Sequence, residues 1–166
     1  MKLFVIATAM ATALIAAPAT IVTVAPAYAD CGDPGQPPCT GPVPTVDEVA
    51  AAMAELTDPA ANKNNIVSPG FSPDEAGTID DHLHRMDAHG LLPLNFVVTD
   101  IQPAPGNFAG ATAAATGSFN QNAPPGPIVL ANHGGRWQIT HDTAMTVLDA
   151  IWSNANRHFP GFVPVR

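Results

Sequence analysis

Ionisable side chains are scarce in this sequence, and basic ones are the scarcest. Only 12% of the 166 residues are charged, with six lysines and arginines against fourteen aspartates and glutamates, so the formal net charge is −8 at pH 7. A negative surface of this kind repels the phosphates of nucleic acids and the headgroups of anionic lipids. We therefore expect no nucleic-acid partner and no electrostatic docking to membranes.

Long apolar runs are confined to the start of the chain. Met1-Lys2 precede an apolar run, and Ala27-Tyr28-Ala29 is a small-x-small cleavage pattern. This predicts a signal peptide at 1–29 and a mature, secreted chain that begins at Asp30, extracellular or associated with the cell envelope. No later stretch approaches the roughly 20 apolar residues of a membrane-spanning helix, so no integral membrane association is expected after cleavage.

Cysteine is limited to Cys31 and Cys39. An exported chain meets an oxidising compartment, and two cysteines allow one intramolecular pairing. We therefore predict a Cys31–Cys39 disulfide within a proline-rich leader at 30–44. Two thiols are too few for a zinc site, and no metal or other cofactor is expected.

Familiar catalytic motifs are missing. The sequence has no Gly-x-Ser-x-Gly nucleophile elbow and no glycine-rich phosphate loop. Its only tyrosine, Tyr28, lies in the predicted signal peptide, so an isomerase that needs a tyrosine beside a carboxylate is disfavoured. These features predict a protein that is not an enzyme. A cofactor-free isomerase or dehydratase that uses Asp100 or His141 is the weaker alternative.

Clear start signals and periodic patterns predict a single α+β domain at 45–156. Thr45-Val-Asp-Glu48 and Ser72-Pro73-Asp74-Glu75 are helix-start patterns, each followed by an apolar stripe at helical spacing. Asp58-Pro59 and Gly90 are expected to end these two helices. Between them, 60–71 reads as a loop with a short helical turn at its start.

The second half of the domain predicts an antiparallel meander of three or four strands and a C-terminal helix. The predicted strands are 92–102, an alanine-rich segment at 108–117, and 128–131 paired with 136–140 across the turn Asn132-His133-Gly134-Gly135. Residues 120–127 are expected to form a proline-rich loop. From Asp142 the apolar spacing becomes helical, and 157–166 is expected to be a tail.

Residues 80–89 concentrate aspartate and histidine. On a helix, Asp80 or Asp81 could share a metal ion with His84. Two ligands do not make a metal site, so we favour a solvated face opposite the apolar stripe. His141-Asp142 could form a general acid–base pair, but we favour a cap of the last helix in which Thr140 or Asp142 accepts amide hydrogen bonds.

Three segments carry a resemblance to a known family. They are Pro93-Leu94-x-Phe96-x-Val98-Thr99-x-Ile101-Gln102-Pro103, Asn132-x-Gly134-Gly135-x-Trp137 and Ala144-Met145-x-x-Leu148. The sequence thereby resembles the low molecular weight antigen family of small secreted mycobacterial proteins. The resemblance implies an immunogenic secreted protein with no catalytic residues to transfer. The order of elements is also similar to the cone of nuclear transport factor-like and cystatin-like proteins, as a fold analogy alone.

Two hypotheses of function follow. The first is a non-enzymatic secreted protein that interacts through its surface with an unknown protein partner of the cell envelope or the host. The alternative is a carrier of a small apolar ligand, because the alanines of 109–115 remove volume from one sheet face. Its cavity would be lined by Phe96, Val98, Trp137 and Ile139. Close packing, with the two tryptophans filling that volume, is favoured over an open cavity.

Overall fold

Two helices precede the sheet and a third follows it. The computed structural model describes residues 31–32, 35–118 and 122–159, so the predicted signal peptide lies outside the described residues, as do residues 160–166 of the predicted tail. The elements, in chain order, are α1 (Val46–Leu56), a 3₁₀ turn (Lys63–Asn65), β1 (Val67–Ser68), α2 (Pro73–Ala88), β2 (Asn95–Ala104), β3 (Phe108–Thr116), β4 (Asn122–His133), β5 (Arg136–Thr140) and α3 (His141–His158). The last helix continues two residues into the segment expected to be a tail.

The five strands form one mixed sheet in the order β1-β5-β4-β3-β2. Strands β2 to β5 are the antiparallel meander that the sequence predicts. Strand β1 adds a short parallel edge, with Val67 beside Ile139, and the Ile139 amide donates to the Ile66 carbonyl at 2.7 Å. The α+β class is therefore confirmed. The sequence did not predict β1, because two residues are too few to show the alternation of apolar and polar side chains that is typical of a strand.

Both N-terminal helices begin at their predicted capping boxes. The Glu48 amide donates to the Thr45 hydroxyl at 3.2 Å, while the Glu48 carboxylate accepts from the Thr45 amide at 2.8 Å. Ser72 and Glu75 repeat the arrangement at 3.3 and 2.8 Å. These bonds satisfy amides that a helix start leaves without an intrahelical partner.

Glycines at positive φ make the two tight reversals that the sequence indicates. Gly90 has φ of +69°, and the Leu91 amide donates to the Met86 carbonyl at 2.9 Å, which closes the end of α2. Gly134 and Gly135, with φ of +65° and +93°, form the hairpin turn between β4 and β5. Both predictions are confirmed.

The proline-rich segment before the hairpin differs from expectation. Residues 120–127 were expected to be a loop, but β4 begins at Asn122 and continues through the prolines. Ala113 pairs with Gly126 and Ala115 with Ala123, which leaves Pro124-Pro125 opposite the single residue Ala114. A bulge is a place where a strand tolerates proline, because the extra residue donates no ladder hydrogen bond. The loop prediction is therefore wrong at Asn122 and beyond.

One face of the sheet packs against the helices and builds the core. Alternate alanines of β3 are buried on this face, and α3 contributes Trp152, which is almost fully buried. The largest fully buried side chains are Met53, Leu56, Ile79, Leu83, Met86, Leu91, Ile128, Leu130, Ile139 and Leu148 together with Trp152 and His82. The opposite face of β2 to β4 exposes Val97, Phe108 and Val129. The domain is thus a two-layer structure, and nothing in it establishes a closed cone.

Candidate functional site

An apolar cavity lies where α1 and α3 cross the sheet. Its volume is about 120 Å³. Its walls come from both helices and from β2, β3 and β4, and the lining residues are Met53, Phe96, Ala113, Ala115, Ala123, Pro124, Gly126, Pro127, Ile128, Thr146, Val147, Ala150 and Ile151. We call this the α1–α3 cavity. Exposed rim residues on β4 and α3 leave it open to solvent on one side.

Small side chains and the proline bulge create this space. Ala113 and Ala115 face the helices from β3, and Ala150 lines the exposed rim on α3, so three methyl groups stand where larger side chains would narrow the gap. The bulge at Pro124-Pro125 bends β4 at the rim of the cavity. The alanine-rich segment from which the carrier hypothesis started therefore contributes Ala113 and Ala115 to the wall of this cavity.

The side chains that line the cavity are apolar apart from that of Thr146, and none of them is ionisable. Thr146 brings the only side-chain hydroxyl among the lining residues, and this hydroxyl donates to the Asp142 carbonyl at 2.8 Å. A cavity of about 150 Å³ with apolar walls can bind benzene or xenon. The geometry therefore fits one aromatic ring or one short branched alkyl group.

Of the four residues expected to line a cavity, one lines the α1–α3 cavity and three lie elsewhere in the domain. Phe96 lines the α1–α3 cavity. Val98 and Ile139 are buried in the hydrophobic core, and Trp137 is half-buried beside its cross-strand partner Asn132. Sequence reasoning missed Met53, Ala150 and Ile151, because periodicity places a residue on one face of a helix but does not show which residues of distant elements it meets.

The aspartate and histidine residues of α2 do not converge on one site. Asp80 forms an ion pair with Lys63 at 2.8 Å, whereas Asp81 and His84 are exposed. Across the part of the chain that the structure describes, no group of three histidine, cysteine, aspartate or glutamate side chains is placed to hold a metal ion. The prediction of a solvent-exposed face is correct for Asp81 and His84. It is wrong for His82, which is buried against Trp152 on α3.

His141 lies between two carboxylates at the start of α3. Its Nε2 is 3.3 Å from Glu75 Oε1, and its Nδ1 is 3.6 Å from Asp142 Oδ1. Hydrogen bonds from the Ser72 backbone and hydroxyl hold the pKa of Glu75 below its ordinary value, partial burial opposes this, and His141 adds a smaller lowering. The geometry therefore links the starts of α2 and α3.

The side-chain cap expected for α3 is not formed. Thr140 occupies the N-cap position, but its hydroxyl donates to the Thr143 hydroxyl at 2.8 Å instead of accepting from an amide. The Thr143 hydroxyl in turn accepts from the Val129 amide at 3.3 Å. The favoured capping prediction is therefore wrong, because a strand–helix hydrogen bond uses these hydroxyls.

A second polar contact was not anticipated from sequence. Ser68 Oγ and His133 Nε2 lie 2.8 Å apart at a shallow pocket of about 430 Å³ that Phe108 also lines. Within the described ranges, no hydrogen bond joins His133 to a carboxylate, so the pair lacks the orienting group of a catalytic triad. We infer that this contact holds β1 against the hairpin of β4 and β5.

Asp100 occupies a bulge on the opposite edge strand. Its φ is +55°, and its carboxylate accepts from the Thr99 hydroxyl at 2.9 Å. It is exposed on β2, and β3 and β4 separate that strand from β5, which leads into His141. Asp100 and His141 therefore do not share a site. The Cys31–Cys39 disulfide is formed as predicted.

Comparison with known proteins identifies the family of this chain. The C-terminal domain of low molecular weight antigen MTB12, as a family model, matches residues 42–155. Low molecular weight antigen MTB12 from Mycobacterium bovis and that from Mycobacterium tuberculosis are each 31% identical over 147 residues, which cover 87% of this chain and 87% of the relative. A Mycobacterium leprae homolog is 29% identical over 120 residues, covering 70% and 71%. None of the described helices is long and apolar enough to cross a membrane. The chain belongs to the low molecular weight antigen MTB12 family.

Proposed function

We propose that this antigen-like protein is secreted and acts as a non-enzymatic binding protein, which takes an apolar group of another molecule into the α1–α3 cavity. The observation that carries the proposal is the cavity itself. Its walls are apolar side chains apart from Thr146, and its volume is about 120 Å³. Acid–base or nucleophilic catalysis needs titratable or nucleophilic side chains at the reacting atoms, and the lining residues supply none beyond that hydroxyl.

The size of the cavity limits what it binds. Ligand pockets for whole drug-sized molecules are usually about 300–1,000 Å³, several times larger than this one. The cavity therefore receives part of a molecule: one ring or branched alkyl group. That group could belong to a small apolar ligand carried by the protein or to a larger molecule of the cell envelope or host that contacts its surface.

A probe titration tests the proposal. Benzene is titrated into the protein while the methyl signals of Met53, Ala113 and Ile151 are followed by NMR. We expect saturable shifts of these signals, and at least tenfold weaker binding in Ala150→Leu, whose longer side chain occupies the cavity. Ala51→Leu is the matched control, because Ala51 is an exposed alanine on α1 that does not line the cavity. The proposal fails if the wild type shows no saturable shift or if both variants bind alike.

Native and denaturing mass spectra of the protein purified from its own culture medium distinguish the two sources of the apolar group. Extra mass that is lost on denaturation, and that is missing from Ala150→Leu, identifies a carried small ligand. A bare polypeptide that still binds benzene indicates that the group belongs to a larger molecule.

A further inference from the structure

Helices α2 and α3 run parallel and meet along one seam, which we call the α2–α3 seam. Three side-chain contacts define it: Glu75 with His141 at 3.3 Å, His82 with Trp152 at a ring-centroid distance of 4.5 Å, and His89 with Phe159 at 5.8 Å. Glu75 and His82 on α2 and the C-cap residue His89 are spaced seven residues apart, so they lie along one face of the helix. A histidine takes part in each contact.

The central contact is the buried one. His82 and Trp152 are each 1% exposed, and their rings meet edge to face at an interplanar angle of 89°. Among the described residues, neither ring nitrogen of His82 nor the indole nitrogen of Trp152 has a hydrogen-bond partner. A neutral imidazole packs here as a small aromatic ring. An imidazolium would carry a buried charge and two unpaired N–H donors.

The charged groups around His82 do not compensate for this burial. Burial lowers the pKa of His82 from its ordinary 6.5, and Arg85 on the same helix lowers it further. Asp81 on α2 and Asp149 on α3 oppose the effect, but the net direction remains downward. Neither carboxylate is hydrogen-bonded to the ring.

We propose that His82 is a proton-sensitive contact that keeps the centre of the α2–α3 seam closed while its imidazole is neutral and opens it when the imidazole is protonated. Opening lets water or a carboxylate accept hydrogen bonds from the two N–H groups of the imidazolium. The closed seam offers no such acceptor. The start of the seam differs, because His141 there has a polar partner: its Nε2 lies 3.3 Å from Glu75 Oε1. Acid therefore separates the helices around His82 while their N-terminal ends stay together.

The direction of the pH effect follows from proton binding. Above about pH 6.5, His82 is neutral in both the folded and the unfolded chain and contributes no pH dependence. Below that value the unfolded chain takes up a proton that the closed seam resists, so stability falls as pH falls. The unfolding equilibrium constant rises by up to about tenfold per pH unit from this one group.

Urea unfolding at pH 7.5, 6.5 and 5.5 tests the proposal with a matched pair of variants. His82→Leu replaces the buried ring by a neutral apolar side chain, and His84→Leu replaces an exposed histidine two residues away on the same helix. We expect His84→Leu to keep the wild-type increase in the unfolding constant between pH 6.5 and 5.5. We expect His82→Leu to lose up to about fivefold of it, because the unfolded imidazole is already half protonated at pH 6.5. Equal pH dependence in His82→Leu and the wild type overturns the proposal.

Measurements on the unmodified chain cover the case in which His82→Leu does not fold. NMR of the histidine rings should show that the pKa of His82 lies below the ordinary histidine value of 6.5. Hydrogen exchange, corrected for its intrinsic pH dependence, should accelerate for the α2 amides near His82 at pH 5.5 and stay unchanged for those near Glu75. If His82 becomes protonated at the ordinary histidine value of 6.5 while exchange in α2 stays constant, the proposal is wrong.

Discussion

Lys63 and Asp80 form an ion pair of 2.8 Å that ties the 3₁₀ turn to the outer side of α2. The Lys63 side chain is only 4% exposed, and its ammonium also donates to the Asp58 and Ala61 carbonyls at 3.0 and 3.1 Å. Asp80 is 46% exposed and provides the one carboxylate in this set of contacts. The loop between α1 and α2 is therefore organised around a buried cation.

Removal of the Asp80 charge should destabilise the protein. Asp80→Asn leaves the Lys63 ammonium buried with carbonyl partners alone, and we expect a loss of about 1–2 kcal/mol in the free energy of unfolding, reduced from the fully buried case by the exposure of Asp80. Urea unfolding at pH 7 measures it. Asp81→Asn, at the exposed neighbouring position, should change stability by less than about 0.5 kcal/mol. Equal effects of the two variants would show that the ion pair adds nothing.

Substitution by alanine should change the stability of the protein in opposite directions at two glycines in and after α2. Gly90 has φ of +69°, which costs an alanine roughly 1 kcal/mol or more, so Gly90→Ala should destabilise the protein. Gly77 lies inside α2 with open space where a Cβ would stand. Gly77→Ala should stabilise the protein by up to about 1 kcal/mol. Thermal unfolding of both variants checks this pair, and a shift of the same sign in both would contradict the assigned helix end.

The two capping boxes should make stability fall in acid. Hydrogen bonds from Thr45 lower the pKa of Glu48, and those from Ser72 lower the pKa of Glu75. Because the folded pKa lies below the unfolded value of about 4.5, this stabilisation is fully present above that value and is lost as pH falls through the folded pKa. Glu48→Gln with Glu75→Gln should flatten the dependence of Tm on pH below 4.5.

The control for this prediction is Glu55→Gln, since Glu55 lies in the last turn of α1 and takes no part in either capping box. Its pH profile should follow that of the wild type below pH 4.5. An unchanged slope in the double capping-box variant would show that other carboxylates dominate acid unfolding.

Filling the cavity should stabilise the fold while it removes binding. Ala150→Leu places apolar atoms in a space of about 120 Å³ that is lined by apolar side chains. We expect the free energy of unfolding to rise by about 0.5–1 kcal/mol, because more apolar surface is buried without displacing the backbone. Urea unfolding compares Ala150→Leu with Ala51→Leu. A destabilised Ala150→Leu would mean that this position is already close-packed.

Local sequence signals predicted the elements whose geometry is set by neighbouring residues. The capping boxes at Thr45 and Ser72, the helix end at Gly90 and the Gly134-Gly135 hairpin each depend on hydrogen bonds within a few positions of the chain. The alanine-rich β3 was also predicted, despite the helical propensity of alanine. The bracketing glycines and the need for strand partners outweighed that propensity.

Features that depend on partners distant in sequence could not be predicted in this way. The strand at Val67 exists because β5 lies beside it, and Pro124-Pro125 remain in β4 because a bulge accommodates them opposite Ala114. The polar residues around His82 in the sequence predicted a solvent-exposed helix face. In the structure, Trp152 of α3 covers this side chain. The cavity depends on residues of α1, α3 and three strands that meet only in the folded chain, which no local pattern encodes.

A crystal structure of the protein soaked with bromobenzene tests the binding account most directly, because the bromine atom locates the ring without ambiguity. The account predicts one bound ring in the α1–α3 cavity, in contact with Met53, Phe96 and Ile151, and no ring at that position in Ala150→Leu. An empty cavity at a saturating concentration, or a ring bound only elsewhere, would contradict it.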